Sequence, residues 1–137
     1  MMLTISQKTK YGLIAMVALA KQFQSSPLQS RCIAETDSIP HNYLEQVLLE
    51  LKKSGLVKSF RGSQGGYALT KSPSELMVKD IITCLEGPIS FSSEASQSSL
   101  VFFWKEAEKE VSKVFELSLA KLVEKQQQND QVLSYMI

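Results

Sequence analysis

The chain has 137 residues, 44% of them apolar, and a formal net charge of +1. That length supports one domain, or one domain with an appendage, with enough apolar side chain for a core. Two cysteines, Cys32 and Cys84, are too few for a disulfide framework, and the longest apolar run, Tyr11 to Ala20, is too short to span a bilayer or to read as a signal peptide, so the chain is expected to be cytoplasmic, with no membrane partner.

In chain order, Ser6 predicts a cap for a first helix running to about Phe23. This helix is apolar nearly all round, so it should be buried on more than one side, against its own domain and, most simply, a second subunit. The polar stretch Gln24-Ser25-Ser26-Pro27 ends it. A short helix over Ser30 to Thr36, a turn at Asp37-Ser38-Ile39 and a helix from Pro40 to Ser54, closed by Gly55, follow with the spacing of a helix-turn-helix. Ile33, Ala34, Ile39, Leu44, Val47, Leu48 and Leu51 fall on the shared inner face, and small Ala34 permits a close crossing.

The outer face of the second of these helices carries His41, Asn42, Glu45, Gln46, Lys52 and Lys53. Asn42 and Gln46 have the chemistry to pair bidentately with adenine and Glu45 to accept from cytosine, while the lysines suit phosphates; Tyr43 is expected to be half core, half phosphate contact. The bland alternative is an ordinary solvated helix face. Directly downstream, Leu56 to Phe60 and Tyr67 to Leu69 predict two strands joined by Arg61-Gly62-Ser63-Gln64-Gly65-Gly66, a glycine-rich tip that carries one arginine and has the form of a DNA-binding wing. A phosphate-binding P-loop is excluded, because neither Gly-Lys-Ser/Thr nor a following helix is present.

After the wing, Ser72-Pro73-Ser74 predicts a turn, and Val78, Ile81, Ile82 and Leu85 the inner stripe of a helix stopped at Gly87-Pro88. Residues 90–99 read as a serine-rich link. From Leu100 the chain is helical again, with Trp104, Ala107, Val111 and Val114 forming an apolar stripe that wants a partner helix, either within the chain or in a symmetric pair. Ser118 predicts a cap for a further short helix holding Leu119, Leu122 and Val123, after which a polar stretch leads to a hydrophobic terminus expected to dock. The division is a winged helix-turn-helix over residues 1–88, a linker over 89–99, and a dimerisation helix with tail over 100–137.

Residues 1–72 hold nine Lys/Arg against four Asp/Glu, a balance of +5, and the remainder holds six against ten, a balance of −4. A basic half that contains the wing suits a polyanion such as double-stranded DNA, against the alternative of ordinary scatter in surface charge. The single histidine, His41, has no neighbouring ligand at metal spacing and no candidate nucleophile beside it, so no catalytic residue, no metal ligand and no enzyme are expected. Cys32 and Cys84 are candidate redox residues, weighed against the reading of both as small apolar fillers.

The stretches Leu3-Thr4 to Lys10-Tyr11-Gly12-Leu13, Ile33-Ala34-Glu35, Tyr43-Leu44-Glu45-Gln46, Leu51-Lys52-Lys53-Ser54-Gly55-Leu56-Val57, Arg61-Gly62 with Gly65-Gly66-Tyr67, and Leu85-Glu86-Gly87-Pro88-Ile89 together resemble the bacterial Rrf2 family of winged-helix transcription regulators. The resemblance implies a homodimer paired through a long C-terminal helix, with the helix-turn-helix in the major groove and Arg61 in the minor groove. The expected DNA-binding set, from the helix face and the wing together, is Lys8, Lys10, His41, Asn42, Tyr43, Glu45, Gln46, Lys52, Lys53, Arg61, Gly62, Ser63, Gln64, Gly65 and Gly66. Pro40 stands where the family has Ser, which removes a capping hydroxyl and a DNA contact.

Iron-sulfur members of that family carry three cysteines in the segment equivalent to about Phe91 to Val101. This chain has none there, and the position of a fourth, acidic ligand falls at or near Lys10. Serine does not replace soft anionic sulfur, so no cluster is expected and the resemblance points to the cluster-free branch of cysteine-metabolism repressors. That branch implies a metabolic-enzyme corepressor or thiol oxidation as the signal. The sequence therefore predicts a mainly α fold with a small β-hairpin and the function of a homodimeric DNA-binding regulator, most simply a repressor. The alternatives are a winged-helix protein-interaction module, or a regulator sensing redox or metabolic state through a thiol, a small molecule or an enzyme corepressor.

Overall fold

In the computed structural model, which describes residues 4–91 and 98–136, the chain forms α1 (Gln7–Lys21), α2 (Ser30–Asp37), α3 (His41–Lys53), β1 (Val57–Phe60), β2 (Gly66–Leu69), α4 (Val78–Glu86), α5 (Val101–Val114) and α6 (Leu119–Met136), with a 3-10 turn at Pro73–Glu75. The mainly α class with one hairpin is as the sequence predicts. Strands β1 and β2 pair antiparallel with Val57 opposite Leu69 and Phe60 opposite Gly66. Helix α1 stops at Lys21, two residues short of the expected end, where Gln24 turns the chain with a φ of 68°.

One apolar core joins Ala15, Met16 and Leu19 of α1 to Ile33 and Ala34 of α2, Leu44, Val47, Leu48 and Leu51 of α3, Val57 and Leu69 of the hairpin, Ile81 and Leu85 of α4, and Leu119 of α6. Much of the apolar surface of α1 is used within the chain, since α1 packs on α2, α3, α4, α6 and β2, while Leu13, Ile14 and Ala18 are only partly buried. Gly12 sits where α1 passes α3 and α4: a Cβ there would overlap Leu85 Cδ1 and lie 3.2 Å from Val47 Cγ1, and Leu85 is itself buried, with little room to yield.

The start of α1 is held by a residue 80 positions away in sequence. The Ser6 amide donates to Glu86 Oε1 at 2.6 Å, and the Ser6 hydroxyl donates to Glu86 Oε2 at 2.8 Å. The Thr9 hydroxyl, almost wholly buried, adds a third bond to Oε2 at 3.2 Å. A carboxylate at this helix N-terminus satisfies free donors and opposes the positive end of the helix dipole. The Ser6 amide and hydroxyl bonds hold the Glu86 carboxyl below its ordinary value. Its contribution to stability is therefore present above the usual carboxylate range and lost as pH falls through the lowered value. Glu86→Gln should melt at a lower temperature than the parent at neutral pH and converge with it in acid; parallel melting curves across pH check this, and a constant difference would contradict it.

Two expectations for the C-terminal third need correction. Leu119 to Met136 is one helix rather than a short helix followed by a polar link, because no Gly or Pro interrupts it and Gln, Glu and Lys are good helix formers. Ser118 does cap it, accepting from the Lys121 amide at 3.1 Å. Nor do the described residues of the hydrophobic terminus dock on the chain: Val132, Leu133, Tyr135 and Met136 are all exposed. The first turns of α6 are anchored instead, with Leu119 N–H donating to Leu76 O at 2.7 Å and Val78 N–H to Leu117 O at 2.9 Å. Most of the serine-rich link, residues 92–97, lies outside the described residues.

Candidate nucleic-acid interface

Helix α3 buries Leu44, Val47, Leu48 and Leu51 and so must turn the opposite stripe outward. Asn42, Gln46, Leu49 and Lys53 recur on that stripe at spacings of four, three and four, and all four are exposed. Pro40 precedes the helix with no side-chain cap, as the sequence implies, and Lys52 and Lys53 lie in the last turn. Tyr43 combines burial with exposure as expected: its ring meets Tyr11 edge-on at 5.6 Å, yet 37% of the residue is exposed.

The wing follows at once. Arg61, Gly62, Ser63 and Gln64 are exposed at its tip. Gly66 has a φ of +143°, and a Cβ on it would fall 2.6 Å from the carbonyl carbon and oxygen of Leu28. This close approach lets Leu28 pair with Tyr67 in a single antiparallel bridge: its N–H donates to Tyr67 O at 2.9 Å, and Tyr67 N–H donates back to Leu28 O at 2.8 Å. Gly65 is needed for room, since a Cβ there would overlap Phe60 O. On the outer side of β1 the Lys58 ammonium lies 5.7 Å from the centre of the exposed Phe60 ring.

Not every candidate stands free. Lys8 pairs with Glu50 at 3.3 Å, bracing α1 against α3, and Lys10 lines a groove between α1, α2 and α6 together with Cys32 and Leu122. His41 Nε2 lies 3.0 Å from Ser30 Oγ and 3.3 Å from Glu45 Oε1. The Ser30 hydroxyl donates to Glu45 Oε1, and the Tyr67 hydroxyl donates to Glu45 Oε2 at 3.2 Å. Burial, with the Glu45 charge and hydrogen bond next, pushes the Tyr67 phenol above its ordinary value. Ser30 and Tyr67 were not among the sequence candidates, because nothing in their local spacing shows that α2 and β2 converge on the same carboxylate. Leu49 was also missed: its exposure on the outer stripe shows only once the inner stripe of α3 is fixed.

Of the thiols, Cys32 is exposed on α2 and Cys84 lies on α4 with Sγ 2.9 Å from Ser54 Oγ. Helix α5 has no fully buried residue. Trp104 and Val114 of the expected dimer stripe are exposed, Ala107 and Val111 partly so, and Leu100, Phe102 and Phe103 add to the uncovered apolar surface. Among the described residues no helix is long and apolar enough to cross a membrane.

Comparison with known proteins agrees with this geometry. Residues 5–125 match the Rrf2 family, described as an iron-dependent transcriptional regulator. The HTH-type transcriptional regulator CymR of Bacillus subtilis (strain 168) is 46% identical over 86 residues, covering 63% of this chain and 62% of that protein. IscR of Photorhabdus laumondii is 38% identical over 82 residues, covering 60% of this chain and 50% of that protein. The matched segment thus spans between half and two thirds of these relatives. The structure of CymR, the global cysteine regulator of B. subtilis, superposes with a TM-score of 0.83 at 37% identity, over 90% of this chain and 98% of that one. The oxidized form of Staphylococcus aureus CymR gives 0.78 at 34% identity, over 89% and 97%.

The iron in the family description finds no matching donor set here. The chain has two cysteines and one histidine. The thiols sit on separate helices and the imidazole is bonded to Ser30 and Glu45, and among the described residues no three His, Cys, Asp or Glu side chains gather to hold an ion. These residues do not fit an iron-sulfur cluster.

Proposed function

The chain belongs to the Rrf2 family of transcriptional regulators, and from that membership we propose that it is a homodimeric, sequence-specific DNA-binding repressor with α3 in the major groove and the wing in the minor groove. The observation that carries this reading is the union of an exposed Asn42–Gln46–Lys53 stripe with an arginine-tipped wing that backbone hydrogen bonds tie to the helix-turn-helix. Asn42 and Gln46 read base edges; Arg61, Lys52 and Lys53 neutralise or approach the backbone.

The second copy is called for by α5. A helix that carries the stripe Trp104, Ala107, Val111 and Val114, with Trp104 and Val114 exposed, and fully buries no residue in its own chain is matched by a two-fold pairing, which covers the same stripe on both copies. The role of the B. subtilis relative as global cysteine regulator makes cysteine supply the physiological variable to test first.

Arg61→Ala should weaken binding to a selected operator about tenfold and flatten the dependence of log K on log salt by about 0.9 for each phosphate no longer neutralised. Gln46→Ala should leave that slope in place and lose about 1 to 3 kcal/mol of discrimination at individual base pairs. Fluorescence anisotropy titrations over a salt series separate the two. An Arg61→Ala protein that binds like the parent at every salt concentration would overturn the wing assignment.

A further inference from the structure

We infer that Glu45, which is partly exposed on the recognition helix, serves as a positioning residue: its carboxylate clamps α2, α3 and the root of the wing into one fixed unit. This rests on the DNA-binding reading above and assigns base readout to Asn42 and Gln46 alone. The two oxygens are divided between partners on different elements. Oε1 accepts from the Ser30 hydroxyl of α2 and lies 3.3 Å from His41 Nε2, one turn back on α3, while Oε2 accepts from the Tyr67 hydroxyl of β2 at 3.2 Å.

The hydrogens are consistent around the ring. With the proton on Nε2, His41 donates to Ser30 Oγ at 3.0 Å, and Ser30 in turn donates to Glu45. Ser30 is buried as a residue, and loss of the carboxylate removes the acceptor that the fold provides for its hydroxyl proton. Tyr67 also carries the paired backbone bonds to Leu28, the residue two before α2 begins. One tyrosine therefore fixes the wing root to α2 through its main chain and to α3 through its side chain. The distance between helix and wing sets the phase at which major- and minor-groove contacts meet the duplex. Fixing it in advance removes an ordering cost from binding.

The clamp, a base-reading role and an idle surface acid give different results for the same substitutions. An acidic side chain near DNA repels phosphate, so removing one that does nothing else should raise affinity. Loss of the clamp should lower it. Operators selected with the parent protein, and a set carrying single base-pair changes, would be titrated with Glu45→Ala, Glu45→Gln, Tyr67→Phe and the Glu45→Ala/Tyr67→Phe double variant over a salt series.

The expected result is that Glu45→Ala and Tyr67→Phe each weaken binding about five- to tenfold on every operator alike. Both should flatten the salt dependence as Arg61→Ala does, because the wing is no longer held in place. In the double variant the second change should cost less than about twofold, since the shared bond is already gone. Glu45→Gln, which keeps an acceptor for Tyr67 or Ser30, should recover most of the loss. Tyr67→Phe removes a single oxygen and carries the test alone if Glu45→Ala does not fold. Altered preference at one or two base pairs with additive effects, or affinity raised by Glu45→Ala, would overturn the clamp while leaving DNA binding intact. A parent protein that enriches no fragment would instead overturn the reading on which it rests.

Discussion

Replacing Trp104 and Val111 together with aspartate should leave a folded single chain of 15.3 kDa that binds its operator about 100- to 10,000-fold more weakly than the parent. The two positions lie seven residues apart on the same face of α5, and no residue of that helix is fully buried in its own chain. The core formed by α1 to α4, the hairpin and Leu119 does not draw on them, so the substitutions act on assembly rather than on folding of the unit. A charge pair facing its own copy across a two-fold axis meets like charge in a desolvated seam. Each monomer keeps one recognition helix and one wing but loses the second half-site, and with it the effective concentration that linkage provides. Tyr135→Asp is the control, because Tyr135 is 95% exposed at the end of α6. Sedimentation velocity and anisotropy on the three proteins check the prediction. A double variant that remains dimeric would move the interface away from this stripe.

Gly66→Ala should be strongly damaging for a single added methyl in the wing, costing about 2 to 4 kcal/mol of stability together with specific DNA binding. The new Cβ meets backbone, the carbonyl carbon and oxygen of Leu28 at 2.6 Å and the Gln29 nitrogen at 2.9 Å, and backbone cannot rotate aside as a side-chain tip can. The φ of +143° adds strain for any residue with a Cβ. Relief requires β2 to lift from Leu28, which breaks the bonds at 2.9 and 2.8 Å that join Tyr67 to Leu28 and draws the Tyr67 hydroxyl from Glu45. Gly62→Ala supplies the comparison: its φ is +96°, but nothing lies within 4 Å of the added carbon, so only the backbone strain of about 1 kcal/mol remains. Urea unfolding of both variants measures the difference. Equal costs would show that the close approach to Leu28 contributes nothing.

Much of this architecture was legible in the sequence because its signals are local. The inner stripes of α3 and α4, the Ser6 and Ser118 caps, the glycine tip of the wing and the uncovered α5 stripe each follow from periodicity or turn chemistry read over a few residues. What was not legible depends on distant chain segments meeting. Glu86 lies in a stretch that marks the family resemblance, but its role as the cap of a helix 80 residues earlier appears only once α4 is laid beside α1. Glu45 looks like a base reader by position, and only the convergence of Ser30 and Tyr67 shows that its carboxylate is already occupied. The terminus past Asp130 was expected to dock from its composition, which reports apolarity but not the direction in which a straight helix carries it. Helix α6 leaves the core after Leu119 to Val123 and takes Val132 to Met136 into solvent.

Homodimeric operator binding faces its sharpest trial in the selection of genomic DNA fragments on the purified chain, followed by stoichiometry on the enriched sequence. An imperfect inverted repeat should be enriched, its half-site centres about one helical turn of 34 to 36 Å or a multiple apart, and occupied by two chains. Enrichment of nothing above background at low salt, or occupancy of a site by one chain, would refute it.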